Sequence, residues 1–313
     1  MDEIDLALSL MLMANSRASY KELADNFNMS VNSIHKRVKS LVELGIIQKF
    51  RTTLGFAYFK QINVIMYGMS RVIDKKALME KLGSHDCIYN VTQASGNLIY
   101  IYAYIRSLAE LDTLVSYVRE KGEIVSLTVG LEKGSPSIFF KDFKEVSLSP
   151  LDYKIIYSLK DNSRKPISEI AEEVGYSTKT IKRHLDNLIE KNLINFTIDW
   201  YPDKTPEILS MIIVKRKQSI KTNESQYIDE LRKIYGQKII ISWTFTNLPE
   251  LVLITVWTQS MKELQKIEMD LMEADFDSVN VTVLVEGKMF PTWVDQYLED
   301  KIKEINLSKD IKN

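Results

Sequence analysis

Residues 15–47 read NSRASYKELADNFNMSVNSIHKRVKSLVELGII, and residues 162–194 read NSRKPISEIAEEVGYSTKTIKRHLDNLIEKNLI. The two stretches align without a gap at an offset of 147 residues, and the register begins earlier, at Asp5 and Asp152. Identities fall at Asn15-Ser16-Arg17, Glu22, Ala24, Ser30, Ile34, Leu41, Glu43 and Ile47, which are the cap, core and turn positions of a small helical unit. Internal self-similarity on this scale means that one folding unit has been used twice. Each copy is followed by a long segment of alternating strand and helix character, so the chain reads A-B-A′-B′.

Within each copy the pattern is helix, tight turn, helix. Ser19 followed by Glu22 is a capping-box signature. A short helix, Tyr20 to Phe27, then meets Asn28, and the second copy places Gly175 there; both residue types tolerate a left-handed backbone. Ser30 and Ser177 are natural N-caps for a third helix. At 100° per residue Ile34, Val38 and Leu41 share one face of that helix, as do Ile181, Leu185 and Leu188 in the second copy. Segments rich in strand formers, beginning at Ile46 and Leu193, follow as the wings of winged helices.

The opposite faces of these third helices are polar and basic. The first carries Asn32, Lys36, Lys39 and Ser40, flanked by Ser33 and His35. The second carries Lys179, Arg183, Asp186 and Asn187, flanked by Thr180 and Lys182. Such a helix, held across a tight turn, suits the major groove, where lysine and arginine meet phosphates or guanine and asparagine pairs with adenine. The residues expected to contact double-stranded DNA are Asn32, Ser33, Lys36, Arg37 and Lys39, with Lys179, Thr180, Lys182 and Arg183. Lys39 becomes Asp186 in the second copy, a carboxylate that repels phosphate. An alternative use of the same units is as a protein-interaction scaffold.

The B segments repeat the order β-α-β-β-α-β, the ferredoxin-like split motif. In the first, strands are expected over Ile62–Val72, Ile88–Gln93, Leu98–Ile105 and Ile124–Leu131, and helices over Lys75–Leu82 and Ala109–Glu120. Tyr100, Tyr102 and Tyr104 alternate with Ile99, Ile101, Ala103 and Ile105, which makes both faces of that strand apolar. An apolar sheet face needs cover. The two sheets are expected to pack together within the chain or each against a second chain, and the Tyr100 face is the basis for expecting a homodimer.

The fold class is therefore α+β: a tandem repeat of winged helix-turn-helix plus ferredoxin-like βαββαβ domain, two copies per chain. The expected domains are 1–56, 57–146, 147–204 and 205–291, with a charged helix or tail over 292–313. On Asp5, Asn15-Ser16-Arg17, Glu22-Leu23-Ala24, Ser30, Arg37-Val38, Leu41 and Gly45-Ile46-Ile47, and their second-copy counterparts, the chain resembles the Lrp/AsnC (feast/famine) transcriptional regulators. The resemblance implies sequence-specific DNA binding, pairing through the sheets, and a small-molecule effector such as an amino acid. It also implies that this chain is a covalent pseudo-dimer. Many members carry Gly-Asp in the turn between the second and third effector strands; here Gly96 and Asn97 stand there as the candidate effector contacts, and the second copy has Asn247-Leu248-Pro249-Glu250.

Composition narrows the remaining classes. At 313 residues, with 45% hydrophobic and 27% charged, the chain is of ordinary globular type. Lysine plus arginine (41) balances aspartate plus glutamate (42), so nucleic-acid contact must come from a local patch. The lone cysteine, Cys87, permits neither an intrachain disulfide nor a thiolate cluster, and no apolar run is long enough to span a membrane. A cytoplasmic protein with no cofactor, no metal and no catalytic residue is expected. His85-Asp86-Cys87 is the nearest thing to a nucleophile group, but on a strand neighbouring side chains point to opposite faces. Sirohaem decarboxylases share this architecture and are the enzyme alternative. Their chemistry uses histidines and arginines, and of three histidines here His35 and His184 lie on the recognition helices, leaving His85.

Overall fold

The computed structural model describes residues 1–59, 61–134, 147–216, 224–273 and 276–310. In chain order the first copy gives α1 (Glu3–Ala14), α2 (Tyr20–Phe27), α3 (Val31–Glu43), β1 (Ile47–Leu54) and a single turn α4 (Phe56–Phe59). The first effector module is β2 (Ile62–Ser70), α5 (Lys75–Gly83), β3 (Ile88–Ala94), β4 (Leu98–Ile105), α6 (Leu111–Gly122) and β5 (Ile124–Leu131). The second copy gives α7 (Pro150–Leu159), α8 (Ile167–Val174), α9 (Thr178–Glu190) and β6 (Ile194–Trp200). Its effector module is β7 (Ile208–Arg216), α10 (Glu224–Tyr235), β8 (Ile239–Thr244), β9 (Leu251–Thr258), α11 (Met261–Glu273) and β10 (Phe276–Met289), and α12 (Trp293–Asp310) follows. The expected end of the first effector module, 135–146, lies outside the described residues.

The domains expected one after another gather into two compact units. Among the described residues one contains both effector modules (61–134, 202–216, 224–273 and 276–290), and the other contains both helix-turn-helix copies together with α12 (2–59, 147–201 and 291–310).

In the effector unit the two four-stranded sheets join edge to edge into one eight-stranded sheet, in the order β5-β2-β4-β3-β10-β7-β9-β8. The join is made by β10. Its first half pairs with β7 (Val279↔Val214), and its second half runs on to pair antiparallel with β3 (Gly287↔Thr92, Met289↔Asn90). The outer strands also meet: Glu132 bridges Phe245, Thr246 N–H donates to Leu131 O (2.9 Å), and Asn247 Nδ2 donates to Val129 O (2.9 Å). A side chain at Gly130 would intrude on the Phe245 ring, so the close approach of these strands depends on that glycine.

Between these contacts the tyrosine stripe is covered. Tyr100 and Tyr102 are buried in one cluster with Ile65, Met211, Phe245, Leu251 and Leu253. Tyr100 Oη lies 2.9 Å from Thr282 Oγ1, and the Tyr102 ring is 5.7 Å from that of Trp243. Tyr104 stacks on Tyr89 at 4.1 Å. Burial drives the Tyr100 and Tyr102 phenols well above their ordinary pKa, so both are neutral packing elements. The intrachain alternative is the one realised. The surplus apolar surface from which a homodimer was expected is consumed inside a single chain, and it no longer gives a reason for one.

Glu132, beside this closure, gives a pH test. Burial raises its pKa, against a lowering hydrogen bond from Asn63. A carboxyl whose folded pKa is raised favours the folded state below its unfolded pKa, and that contribution is lost as pH rises through the folded value. Glu132→Gln is therefore expected to stabilise the effector unit at pH 7 and to have little effect near pH 4. Urea midpoints at the two pH values check this; an equal shift at both would refute it.

Candidate nucleic-acid interface

Each helix-turn-helix is assembled as its sequence dictates. Asp2 caps α1 through Asp5 N–H, Ser19 caps α2 through Glu22 N–H, and Ser30 caps α3 through Ser33 N–H (3.1 Å). In the second copy Ser149 caps α7 and Ser177 caps α9. The tight turns use left-handed residues where expected, Asn28 at φ 50° and Gly175 at φ 78°. Ile34, Val38 and Leu41 are buried under α3, and Ile181, Leu185 and Leu188 under α9.

The wing strands hold a surprise of pairing. Rather than folding back into hairpins, β1 and β6 pair with each other, antiparallel, in a two-stranded sheet. A bulge in β1 between Ile47 and Lys49 absorbs one residue, so beyond it the copies are related by 146 instead of 147. With that offset the ladder is self-complementary. Phe50↔Ile198 and Thr52↔Phe196 are equivalent pairs, and Arg51↔Thr197 lies on the pseudo-twofold axis.

The repeated Asn-Ser-Arg motif surrounds the same axis. The buried Ser16 and Ser163 hydroxyls are 2.5 Å apart. Arg164 Nη1 donates to the carbonyls of Ser16 (2.7 Å) and Ala18 (2.9 Å), and Arg17 Nη1 donates to those of Ser163 and Lys165 (3.1 Å for the latter). Arg17 lies over the Phe196 ring at 5.5 Å and Arg164 over Phe50 at 5.6 Å. Burial and the charge of Arg164 lower the pKa of Arg17. The motif is visible in the sequence as a repeat, but its role depends on contacts between residues about 147 apart.

This joint leaves the outer faces of α3 and α9 to solvent. Asn32, Lys36 and Lys39 are exposed on α3, and Lys179, Lys182 and Arg183 on α9. Among the described residues Lys36, Lys179, Lys182 and Arg183 have no carboxylate partner, while Lys39 lies 3.7 Å from Glu43 in an exposed pair of small energetic weight. Ser33 and Thr180 are partly buried, with hydroxyls 2.9 Å from those of the cap residues Ser30 and Ser177.

Arg37 is placed differently from the rest of the expected DNA-contact set. Its Nη1 lies 2.9 Å from Asp2 and 2.6 Å from Asp5, tying α3 to the start of α1. Burial would raise the Asp2 pKa, but the Asp5 N–H and the Arg37 guanidinium outweigh it and leave it lowered. The equivalent pair in the second copy is His184 with Asp152, Nδ1 to Oδ1 2.7 Å. His35, by contrast, packs its ring edge-on against Tyr20 at 5.0 Å.

Gly96 and Asn97 form an exposed turn between β3 and β4 with both residues left-handed (φ 68° and 62°), the geometry that closes a tight hairpin. In the second copy the corresponding loop is engaged elsewhere, through Asn247 and β5. His85, Asp86 and Cys87 lie in a turn ahead of β3, not on the strand. Strand alternation therefore does not separate His85 from Asp86, and His85 Nδ1 is 3.4 Å from Asp86 Oδ1. Their ligand atoms are within 4.8 Å of one another, but Arg106 already pairs with Asp86 (2.6 Å) and Glu110 (2.9 Å). Burial pushes the Cys87 thiol up to about 12, away from thiolate chemistry. Among the described residues no helix is long and apolar enough to cross a membrane.

Comparison with known proteins fits this arrangement. The family described as winged helix-turn-helix DNA-binding matches residues 1–48 and again 148–195. The HTH-type transcriptional regulator Ptr1 of Methanocaldococcus jannaschii is 26% identical over 152 residues, 48% of this chain and 99% of its own length. An HTH-type regulator of Pyrococcus horikoshii is 27% identical over 149 residues (46% and 95%), and the regulatory protein AsnC of Haemophilus influenzae 26% over 121 residues (37% and 79%). Among solved structures, that of the sirohaem decarboxylase NirDL is similar in fold across 96% of this chain and 99% of its own, with a TM-score of 0.58 at 11% identity.

Proposed function

We propose, for a chain that belongs to the Lrp/AsnC family of HTH-type transcriptional regulators, that it grips DNA as its own dimer, with α3 and α9 entering the major groove at two half-sites. Binding DNA to regulate transcription is the family's function; the residues that do it here are the proposal. One observation carries the reading: two capped helices, related by a pseudo-twofold axis, turn to solvent cations that have no carboxylate partner among the described residues. Lys36, Lys182 and Arg183 meet phosphates or guanine, and Asn32, Lys179, Ser33 and Thr180 sit at the helix N-termini, where base edges are read. Arg37 acts as a positioning residue through Asp2 and Asp5. The site of action is the cytoplasm, and no catalytic step is needed.

Fluorescence anisotropy with the upstream DNA of the protein's own gene, against scrambled DNA over a salt series, tests this. Lys36→Ala and Arg183→Ala are each expected to weaken binding and to lower the salt slope by about 0.9 for every phosphate no longer neutralised. Arg37→Ala is expected to leave the slope unchanged, because its charge is already neutralised within the protein. Slopes unaltered by Lys36→Ala and Arg183→Ala would remove these helices from the interface.

A second reading, tetrapyrrole decarboxylation, is favoured by one observation, the full-length likeness of fold to NirDL. Of the three histidines, only His85 lies in the effector unit. Absorbance titration with sirohaem separates the readings: a flat titration is expected, and a saturable spectral shift would favour the enzyme.

A further inference from the structure

A symmetric dimer of helix-turn-helix units presents two identical recognition helices and so reads a palindrome. Here the frame is two-fold but the reading surfaces are not. The pseudo-twofold axis through Arg51 and Thr197 relates α3 to α9, and at equivalent outward positions Asn32 becomes Lys179, His35 becomes Lys182, and Lys36 becomes Arg183.

These exchanges change chemistry, not only size. Asparagine offers one acceptor and one donor edge, the match for adenine N6 and N7; lysine and arginine only donate, and match guanine O6 and N7. His35 and Lys182 are both exposed, but the His35 ring packs edge-on against Tyr20, whereas Lys182 carries a full positive charge. Among the described residues the first turns of α9 present three cationic donors without a carboxylate partner (Lys179, Lys182 and Arg183), and those of α3 present one such cation, one amide and one imidazole.

Building on the DNA-binding reading above, we propose that this protein recognises a non-palindromic duplex of two unlike half-sites in fixed order: one under α3 containing an adenine read by Asn32, and a guanine-rich one under α9. Because both helices belong to one chain, their order on the DNA is fixed by the sequence, and the bound complex has a direction.

The test is selection of random-sequence duplexes, about four helical turns long, on the full-length chain, followed by anisotropy titrations. Three sites are compared: the selected one and the two palindromes made by duplicating either half. The native chain is expected to enrich an asymmetric motif and to bind it about 10-fold or more tightly than either palindrome, since each mismatched base pair typically lowers affinity several-fold or more. The variant N32K/H35K/K36R, which gives the first turns of α3 the outward chemistry of those of α9 and leaves Lys39 in place of the Asp186 equivalent, is expected to shift selection to the guanine-rich palindrome. A palindrome enriched by the native chain, or equal affinity for all three sites, overturns the asymmetry and leaves DNA binding intact. Failure to enrich any sequence at low salt overturns sequence-specific recognition itself.

Discussion

Replacing Arg17 and Arg164 together by alanine is expected to destabilise the helix-turn-helix unit by about 2–4 kcal/mol. Each guanidinium donates to two carbonyls of the other copy and lies over an aromatic ring of that copy's wing strand. A hydrogen bond to a charged group contributes roughly 1.5–3 kcal/mol. Two such residues would give more than the figure above, but they are half-buried and face each other across the axis, and burial together with that repulsion lowers the pKa of Arg17. Their effects should also be non-additive, because both lock the same pair of serines, Ser16 and Ser163. Urea unfolding of both single variants and the double variant measures this. Arginine-to-lysine versions keep the charge and lose the fork, and are expected to fall between. A double variant within about 0.5 kcal/mol of the parent, the range typical of a neutral surface substitution, would mean that the β1–β6 ladder alone holds the copies together.

Tyr100→Ala should have the larger effect, about 3–5 kcal/mol, the usual loss for truncating a fully buried aromatic ring. Tyr100 has no exposed surface and sits between the two effector modules. Tyr100→Phe removes only the contact with Thr282 and is expected to cost about 1 kcal/mol. The pair also tests where this face is covered. With the cover inside one chain, Tyr100→Ala lowers the urea midpoint and leaves the sedimentation mass unchanged. If the face joined two chains, the variant would lower the mass instead.

Much of this architecture can be read from the residues because it rests on local rules. The caps at Ser30 and Ser177, the left-handed turns at Asn28 and Gly175, and the stripes Ile34-Val38-Leu41 and Ile181-Leu185-Leu188 each follow from a few neighbouring positions, and the structure forms them as read. The strand and helix order of both effector modules is equally plain from alternation. What escapes is non-local. Nothing in Phe50-Arg51-Thr52 says that its partner strand is Phe196-Thr197-Ile198 rather than a hairpin arm. The far half of β10 carries an ordinary strand pattern, and only the fold reveals that it pairs with β3. Arg37 looks like any basic residue of a recognition helix, and its engagement by Asp2 and Asp5 depends on how α1 crosses α3. His85 and Asp86 are misplaced for the opposite reason: a turn reads as strand, and the alternation rule does not hold there.

The ladder between β1 and β6 also bears on mass action. When two identical subunits must associate before they can grip an operator, occupancy falls steeply on dilution, because the subunits dissociate before the DNA is released. On the DNA-binding reading proposed above the two grips are tethered, so each is present to the other at a high effective concentration whatever the amount of protein. On that reading one molecule suffices for one site. Its binding isotherm should keep a single-site shape at any protein concentration, so that a cell holding only a few copies would still keep the operator occupied.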